Sequence, residues 1–128
     1  MPDLSGFHHV KLPVADLSRS RDWYTSVLGL RVEIEFVEDG VLRGLALADA
    51  SGRLSLALRL DPERAAALAG FDPIALAVPS LRDLQEWQRR VAGFNEPHDG
   101  IVTGHMGSVL VGLHDPDGIE VRLYAVEP

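Results

Sequence analysis

The chain has 128 residues, of which 46% are hydrophobic and 24% are charged, a balance typical of one soluble globular domain with a buried core. Its 12 basic and 19 acidic residues give a formal net charge of −7, and without a cluster of lysine or arginine the sequence argues against nucleic-acid binding. No cysteine is present, which excludes disulfides, thiolate metal sites and a cysteine nucleophile.

The first residues, MPDLSGFHH, lack the basic and apolar regions of a secretion signal. No apolar run along the chain is long enough to span a membrane. We therefore expect a cytoplasmic protein without a membrane partner.

Residues 7–30 resemble a second stretch 64 positions later, at residues 71–94. The two copies share aligned identities at Phe7/Phe71, Leu12/Leu76, Val14/Val78, Leu17/Leu81, Trp23/Trp87 and Gly29/Gly93. The only two tryptophans of the chain are among these pairs. This self-similarity indicates two copies of one supersecondary unit.

The first copy begins as a strand over residues 7–14 and continues as a helix. Alternation along the strand puts His8 with Val10, Leu12 and Val14 on one face, and His9 on the other with Phe7, Lys11 and Pro13. After Asp16 the apolar period becomes helical. Ser18 is the predicted N-cap, and Gly29 marks the end of the helix.

Three strands then follow, over Arg31–Val37, Val41–Ala48 and Arg53–Leu60, separated by turns at 38–40 and 49–52. Alternation in the first of them places its apolar residues, Val32, Ile34 and Phe36, on one face. In the third, a row of four leucines (54, 56, 58 and 60) shares a face. The first unit is therefore predicted to be βαβββ.

A connector helix is predicted over residues 61–70, with Asp61 as its N-cap and Pro62 in its first turn. The second unit repeats the plan with a strand at 72–78 and a helix that Ser80 and Asp83 begin as a capping box. The second unit is completed by a loop or short strand at 95–104, strands at 107–114 and 119–125, and a tight turn at 115–118. The prediction is an α+β fold of two tandem βαβββ modules, with module one at 6–60 and module two at 71–126 of a single domain spanning 1–128.

The chain resembles the vicinal oxygen chelate superfamily in three features: its paired units, the opening HHVKLPVADLSRSRDWYTSVLGL and the closing DPDGIEVRLY. That superfamily includes glyoxalase I, bleomycin-resistance proteins and extradiol dioxygenases, and the resemblance covers roughly residues 7–125. It implies that each sheet curls into half of a cup around a ligand. In similar proteins a second chain completes the cup, so we expect a homodimer.

Metal-dependent members of the superfamily place metal ligands on the first and last strands of each unit. Carried over by residue, these positions fall on His9, Pro73, Arg122 and either Leu56 or Leu58. Only the histidine can bind a metal, because proline and leucine side chains have no lone pair and arginine is a fixed cation. We expect no metal cofactor, and the alternative is a divalent Zn, Ni, Mn or Fe ion in a site rebuilt around His9.

The leading interpretation is a protein that binds a small organic ligand in a largely apolar cup without the full metal centre. The residues assigned to ligand contact are His9, Leu56, Leu58, Pro73, Glu120, Arg122 and Tyr124. The alternative is a metal-dependent lyase, isomerase or dioxygenase with His9 and Glu120 as its catalytic groups. A purely structural or interaction domain is the third hypothesis.

The final strand carries Glu120, Arg122 and Tyr124 on one face. If that face lines the cup, the guanidinium needs an anionic partner. The partner is either Glu120, in a structural ion pair, or the carboxylate of an anionic ligand. For His9, ligand contact and a structural role are both open, and His8 is predicted to be partly buried.

Overall fold

The computed structural model describes residues 1–126, so the predicted domain end at residue 128 lies outside the described residues. The chain divides between residues 67 and 68 into two compact units. The strands and helices of the first unit are β1 (Val10–Val14), α1 (Leu17–Ser26), β2 (Arg31–Glu38), β3 (Val41–Ala48) and β4 (Ser55–Leu60). Those of the second are β5 (Ile74–Ala77), α3 (Leu81–Gly93), β6 (Ile101–Gly104), β7 (Gly107–Leu110) and β8 (Val121–Ala125), and α2 (Pro62–Leu68) precedes them. The predicted tandem βαβββ fold is confirmed.

Each unit contains one four-stranded sheet in which the first strand pairs with the last. The order is β1-β4-β3-β2 in the first sheet and β5-β8-β7-β6 in the second. The β1–β4 and β5–β8 pairs are parallel, and the remaining pairs are antiparallel. Residues at opposite ends of a unit's sequence therefore lie side by side in its sheet.

One face of the first sheet forms the core of the first unit. The buried side chains on this face are Leu12 and Val14 of β1, Leu45 and Leu47 of β3, and Leu56 and Leu58 of β4. Helix α1 contacts β2, β3 and β4 and buries Leu17, Trp23 and Tyr24. Each fully buried leucine contributes roughly 1.5–3 kcal/mol of transfer free energy. We call this the helix-covered face, and the opposite one the open face.

The second unit follows the same rule. Leu84 and Val91 of α3 are buried, and this helix contacts β7 and β8. The buried strand residues are Leu110 of β7 and Val121, Leu123 and Ala125 of β8. The second sheet therefore also has one helix-covered face and one open face.

Two of the three predicted helix starts are correct. The Asp61 carboxylate accepts a hydrogen bond from the Arg64 amide at 3.1 Å at the start of α2, as predicted. Ser80 caps α3 as predicted, since its hydroxyl accepts a hydrogen bond from the Asp83 amide at 3.1 Å and donates to the Asp83 carboxylate at 2.6 Å. The N-cap of α1 is Asp16 rather than Ser18, because the Asp16 carboxylate accepts from the Arg19 amide at 3.0 Å. Aspartate caps a helix as well as serine does, so the earlier residue prevails.

The strand that precedes the 115–118 turn is shorter than predicted. It ends at Leu110 instead of His114, and only an isolated bridge joins His114 to Glu120. The turn itself is present. The buried Asp115 carboxylate accepts hydrogen bonds from the amides of Asp117, at 2.9 Å, and Ile119, at 3.0 Å.

A register shift in β2 overturns the predicted alternation of its apolar residues. Val32 lies beside Leu47, on the helix-covered face, whereas Ile34 lies beside Ala46 and Phe36 beside Gly44. An irregularity between Val32 and Ile34 thus moves two apolar side chains to the open face. They remain 51% and 43% exposed.

Candidate functional site

The open face of the second sheet carries Arg122 and Tyr124 of β8 and Glu120, which directly precedes this strand. Glu120, Arg122 and Tyr124 are half-buried, and the residues between them are buried in the core. The neighbouring strand presents Ala75 beside Arg122 and Ala77 beside Tyr124. Because both neighbours are alanines, the longer side chains of β8 border a shallow space over β5.

Arg122 is held between two carboxylates. Its Nε donates to Glu120 Oε2 at 2.5 Å, and its Nη1 lies 3.2 Å from Asp72 Oδ2. The Glu120 oxygen also accepts a hydrogen bond from the Gly112 amide at 3.3 Å. The Glu120 side chain is only 13% exposed, compared with 38% for Arg122 and for Asp72. We call Asp72, Glu120 and Arg122 the charged cluster.

Contacts within the charged cluster favour the ionised forms of Glu120 and Arg122. Burial raises the pKa of Glu120, but the hydrogen bonds from Arg122 and Gly112, with the positive charge of Arg122 and a contribution from His114, outweigh it and lower the pKa. The hydrogen bond to Glu120 raises the pKa of Arg122, and the charges of Glu120 and Asp72 add to this effect. Two carboxylates and one guanidinium give the cluster a formal charge of −1.

Two residues of this environment were missed by the sequence analysis. Asp72 lies just before β5, and the parallel β5–β8 pairing brings it to Arg122. A hydrogen bond from the Glu120 amide to the carbonyl of Phe71, the residue before Asp72, extends this pairing at 2.8 Å. Gly112 has φ of +79°, and a Cβ placed there would lie 2.2 Å from Asp99 Oδ2. Glycine is therefore required where the Gly112 amide points at Glu120. The only signal in the sequence was the acidic residue after Phe71.

In the first unit, the predicted ligand-facing position of Leu56 and Leu58 is wrong. Both are 1% exposed and lie beside Val10 and Leu12 on the helix-covered face. The open face of β4 carries Ala57 and Arg59 instead. Alternation identified two faces correctly, but Leu56 and Leu58 belong to the core because burial of leucine is favourable.

Register also identifies which residue of the first unit corresponds to Arg122. Lys11 lies beside Ala57, as Ala75 lies beside Arg122, and Lys11 and Ala75 are equivalent in the 64-residue repeat. The equivalent of Arg122 is therefore Ala57, instead of Leu56 or Leu58. Its methyl group offers no ligand atom to a metal.

The open face of the first sheet has an ion pair of its own, between Arg59 and Glu38. The guanidinium contacts both carboxylate oxygens, at 2.5 and 3.1 Å, and this hydrogen bonding lowers the pKa of Glu38. Beside it, the Phe36 ring lies over Gly44, 3.6 Å from where a Cβ would stand. This face thus combines an exposed ion pair with an aromatic ring.

The histidines occupy exposed or loop positions. His9 directly precedes β1 and is exposed, with its Nδ1 2.9 Å from Nδ1 of His8. His8 is also exposed, so its predicted partial burial is wrong. His105 and His114 are exposed, and the Nδ1 of half-buried His98 accepts a hydrogen bond from the Gly100 amide at 2.9 Å.

The residues at the four family ligand positions do not fit a divalent metal. They are His9, Ala57, Pro73 and Arg122, and a catalytic metal needs about three protein ligands. Glu120, the residue that would join His9 in a rebuilt metal site, already accepts hydrogen bonds from Arg122 and the Gly112 amide through Oε2. Across residues 1–126, no group of three or more His, Asp or Glu side chains is arranged to hold a metal ion.

Comparison with known proteins identifies the family. The profile of the Glyoxalase/Bleomycin resistance protein/Dioxygenase superfamily matches residues 6–123, so the chain belongs to this superfamily. No curated protein sequence matches it significantly.

Three solved structures illustrate the similarity. A glyoxylase/bleomycin resistance protein/dioxygenase domain from Frankia sp. EAN1pec is 25% identical with a TM-score of 0.76, over 96% of this chain and 93% of that one. A lactoylglutathione lyase from Agrobacterium tumefaciens is 17% identical with a TM-score of 0.77, over 97% and 96%. An antibiotic binding protein from Streptomyces sp. CB03234 is 19% identical with a TM-score of 0.75, over 96% and 98%. At 17% and 19% identity, the last two show a shared fold.

None of the helices in the described part of the chain is both long and apolar enough to cross a membrane.

Replacing Glu120 by glutamine should lower the free energy of unfolding at pH 7 by about 1 kcal/mol, because Arg122 loses a charged partner in a site that solvent partly reaches. Since folding lowers the pKa of Glu120, its stabilisation is complete above the unfolded-state value of about 4.3 and is lost as the pH falls through the lower folded-state value. Urea unfolding of both proteins from neutral to acidic pH measures this difference, which should shrink below about pH 4.

Glu38→Gln is the matched control, because it removes a carboxylate from an arginine pair that is more exposed to solvent. It should change stability less than Glu120→Gln at neutral pH. An equal loss of stability for Glu120→Gln at neutral and acidic pH would show that the carboxylate charge does not stabilise the fold.

Proposed function

We propose that this protein binds a small organic molecule on the open faces of its sheets, without the divalent metal centre of its metal-dependent relatives. The observation that carries the proposal is Arg122, a carboxylate-paired cation at a position where metal-dependent relatives have a ligand. A guanidinium at that position repels a metal ion and offers hydrogen bonds to an organic group.

The surroundings of the charged cluster support ligand binding. Tyr124 lies beside Val109 of β7 on the same face, and Val102 of β6 follows next to Val109. These side chains provide an apolar surface, whereas Ala75 and Ala77 leave space above β5. Apolar walls with a few polar groups that fix orientation are typical of small-molecule sites.

The relatives provide precedent for both binding and catalysis on this fold. The Streptomyces protein is an antibiotic binding protein, and the Agrobacterium protein is a lactoylglutathione lyase. The alternative of a metal-dependent lyase, isomerase or dioxygenase would need a site rebuilt around His9 and Glu120. This alternative is disfavoured because Glu120 already accepts a hydrogen bond from Arg122. Binding without metal chemistry is therefore the function that the residues favour.

Filling the space over β5 should weaken binding. Neutral aromatic compounds that raise the melting temperature of the wild type are expected to bind Ala75→Phe at least about tenfold more weakly, because the ring occupies the space beside Arg122. Stability should change little, since Ala75 is exposed. Calorimetric titration measures the affinity.

The matched control is Ala92→Phe, which adds the same ring at an exposed position of α3. It should leave the affinity unchanged. Ligands that bind both variants as tightly as the wild type would place the binding site elsewhere and sink the proposal.

We further propose that Zn²⁺, Ni²⁺, Mn²⁺ and Fe²⁺ find no tight stoichiometric site in this chain. Among the family's ligand positions in this chain, only His9 offers a metal-binding group, and Arg122 carries a guanidinium in place of a carboxylate. Calorimetric titration of chelator-free protein is the measurement, with His9→Ala alongside. A tight site that His9→Ala abolishes would favour the metal-dependent enzyme instead.

The proposed assembly is a homodimer in which a second copy covers part of the open faces. In its support, several open-face or flanking side chains are about half exposed, namely Ile34, Phe36, Phe71 and Val102. Burying such apolar surface favours association. Light scattering over a dilution series should give the mass of two chains. A mass near 13.9 kDa at every concentration would contradict the dimer.

A further inference from the structure

Two buried polar atoms of helix α1 have no hydrogen-bond partner in the protein. They are the hydroxyl oxygen of Ser20 and the indole Nε1 of Trp23, and no group within residues 1–126 forms a hydrogen bond with either. Ser20 is 0% exposed and Trp23 is 8% exposed, so bulk solvent does not serve them. Because an unpaired buried polar group is costly, such groups nearly always have a partner in native proteins.

The two side chains lie close together on the helix. Residues three positions apart occupy neighbouring turns of one helix face, and helical side chains lean towards the N-terminal end, so Trp23 inclines towards Ser20. The Trp23 ring also meets the fully buried Tyr24 ring in a T-shaped contact, with ring centroids 4.8 Å apart. Close packing in the core therefore restricts the indole from turning its N–H elsewhere.

The 64-residue repeat supplies an independent observation. Trp23 corresponds to Trp87, and Ser20 corresponds to Leu84. Leu84 is 0% exposed and occupies its place in the second unit with an apolar side chain. Serine is much smaller than leucine, so the equivalent place in the first unit needs a further occupant to reach the packing density of a protein interior.

A water molecule satisfies both the polar groups and the space. It takes up roughly 30 Å³, it accepts from the Trp23 indole N–H, and it exchanges a hydrogen bond with the Ser20 hydroxyl. The Asp16 carbonyl, which accepts from the Ser20 amide at 3.0 Å, has a second lone pair for a further donor. A charged ligand would not suit this place, because the indole and the hydroxyl are neutral and the buried neighbours on α1, Leu17 and Tyr24, carry no charge.

We propose that one buried water molecule bridges Ser20 and Trp23 in the first unit, where the second unit has Leu84 instead. The two units then share a fold but differ in the interior beside their helices, since one is hydrated and the other is apolar. The site belongs to helix α1 and not to an open face, so it is independent of the proposed ligand binding.

Crystal structures of the wild type and of Ser20→Leu test the proposal directly. The wild type should show one water oxygen within about 2.7–3.2 Å of both Ser20 Oγ and Trp23 Nε1. In the variant the leucine side chain should take its place, as Leu84 does in the second unit. A direct hydrogen bond between Ser20 and Trp23, or no water beside them in the wild type, would overturn the proposal, and neither result depends on the variant.

Fluorescence provides a second measurement in solution. Trp87→Phe leaves Trp23 as the only tryptophan of the chain. In that background, Ser20→Leu should shift the emission of Trp23 to shorter wavelength, because the indole loses its hydrogen-bonded water. Ser20→Ala keeps the space for the water and should shift the emission less.

Ser108→Ala is the matched control, because Ser108 is also 0% exposed but its hydroxyl already forms a hydrogen bond with Thr103 at 2.8 Å. It should leave the emission of Trp23 unchanged. Equal shifts in Ser20→Ala and Ser20→Leu would attribute the effect to the serine hydroxyl alone and count against a bridging water. No shift in Ser20→Leu would contradict the proposal as well.

Discussion

The parallel pairing of the first and last strands of each unit is the constraint on which the rest of the structure depends. It places Lys11 beside Ala57 and Ala75 beside Arg122, although each pair is separated by more than forty positions in the sequence. A parallel pair requires a long connection, and the helix and two antiparallel strands between its members provide it. The same pairing brings Asp72 to Arg122, so the charged cluster is a product of topology.

The sequence predicted the architecture well because its signals were local or repeated. The 64-residue repeat is visible in the sequence itself, whereas the Ser80 cap and the turn at 115–118 depend on neighbouring residues. All three features are present in the structure. The predictions failed where a distant contact decides. The register shift in β2 divides Val32 from Ile34 between two faces, and strict alternation has no means of anticipating it.

The site was predicted less completely than the fold, for a related reason. The shared face of Glu120, Arg122 and Tyr124 follows from the alternation within one strand. Asp72 could not be assigned to it, because its contact with Arg122 crosses between strands. The leucines of β4 were assigned to the wrong face, since an alternating pattern defines two faces without stating which one a helix covers. Their ligand roles, like those of His9 and Pro73, stay predictions.

The separation of each sheet into a leucine-rich face and an open face has a consequence for how such a protein can change over time. Ala57 lies between Leu56 and Leu58 in the chain, yet only the leucines belong to the core. A substitution at Ala57, or at its counterpart Arg122, alters the surface offered to a ligand while the adjacent core contacts persist. Two duplicated units can therefore acquire different chemistry on their open faces while they keep the same core, as the arginine of one and the alanine of the other illustrate.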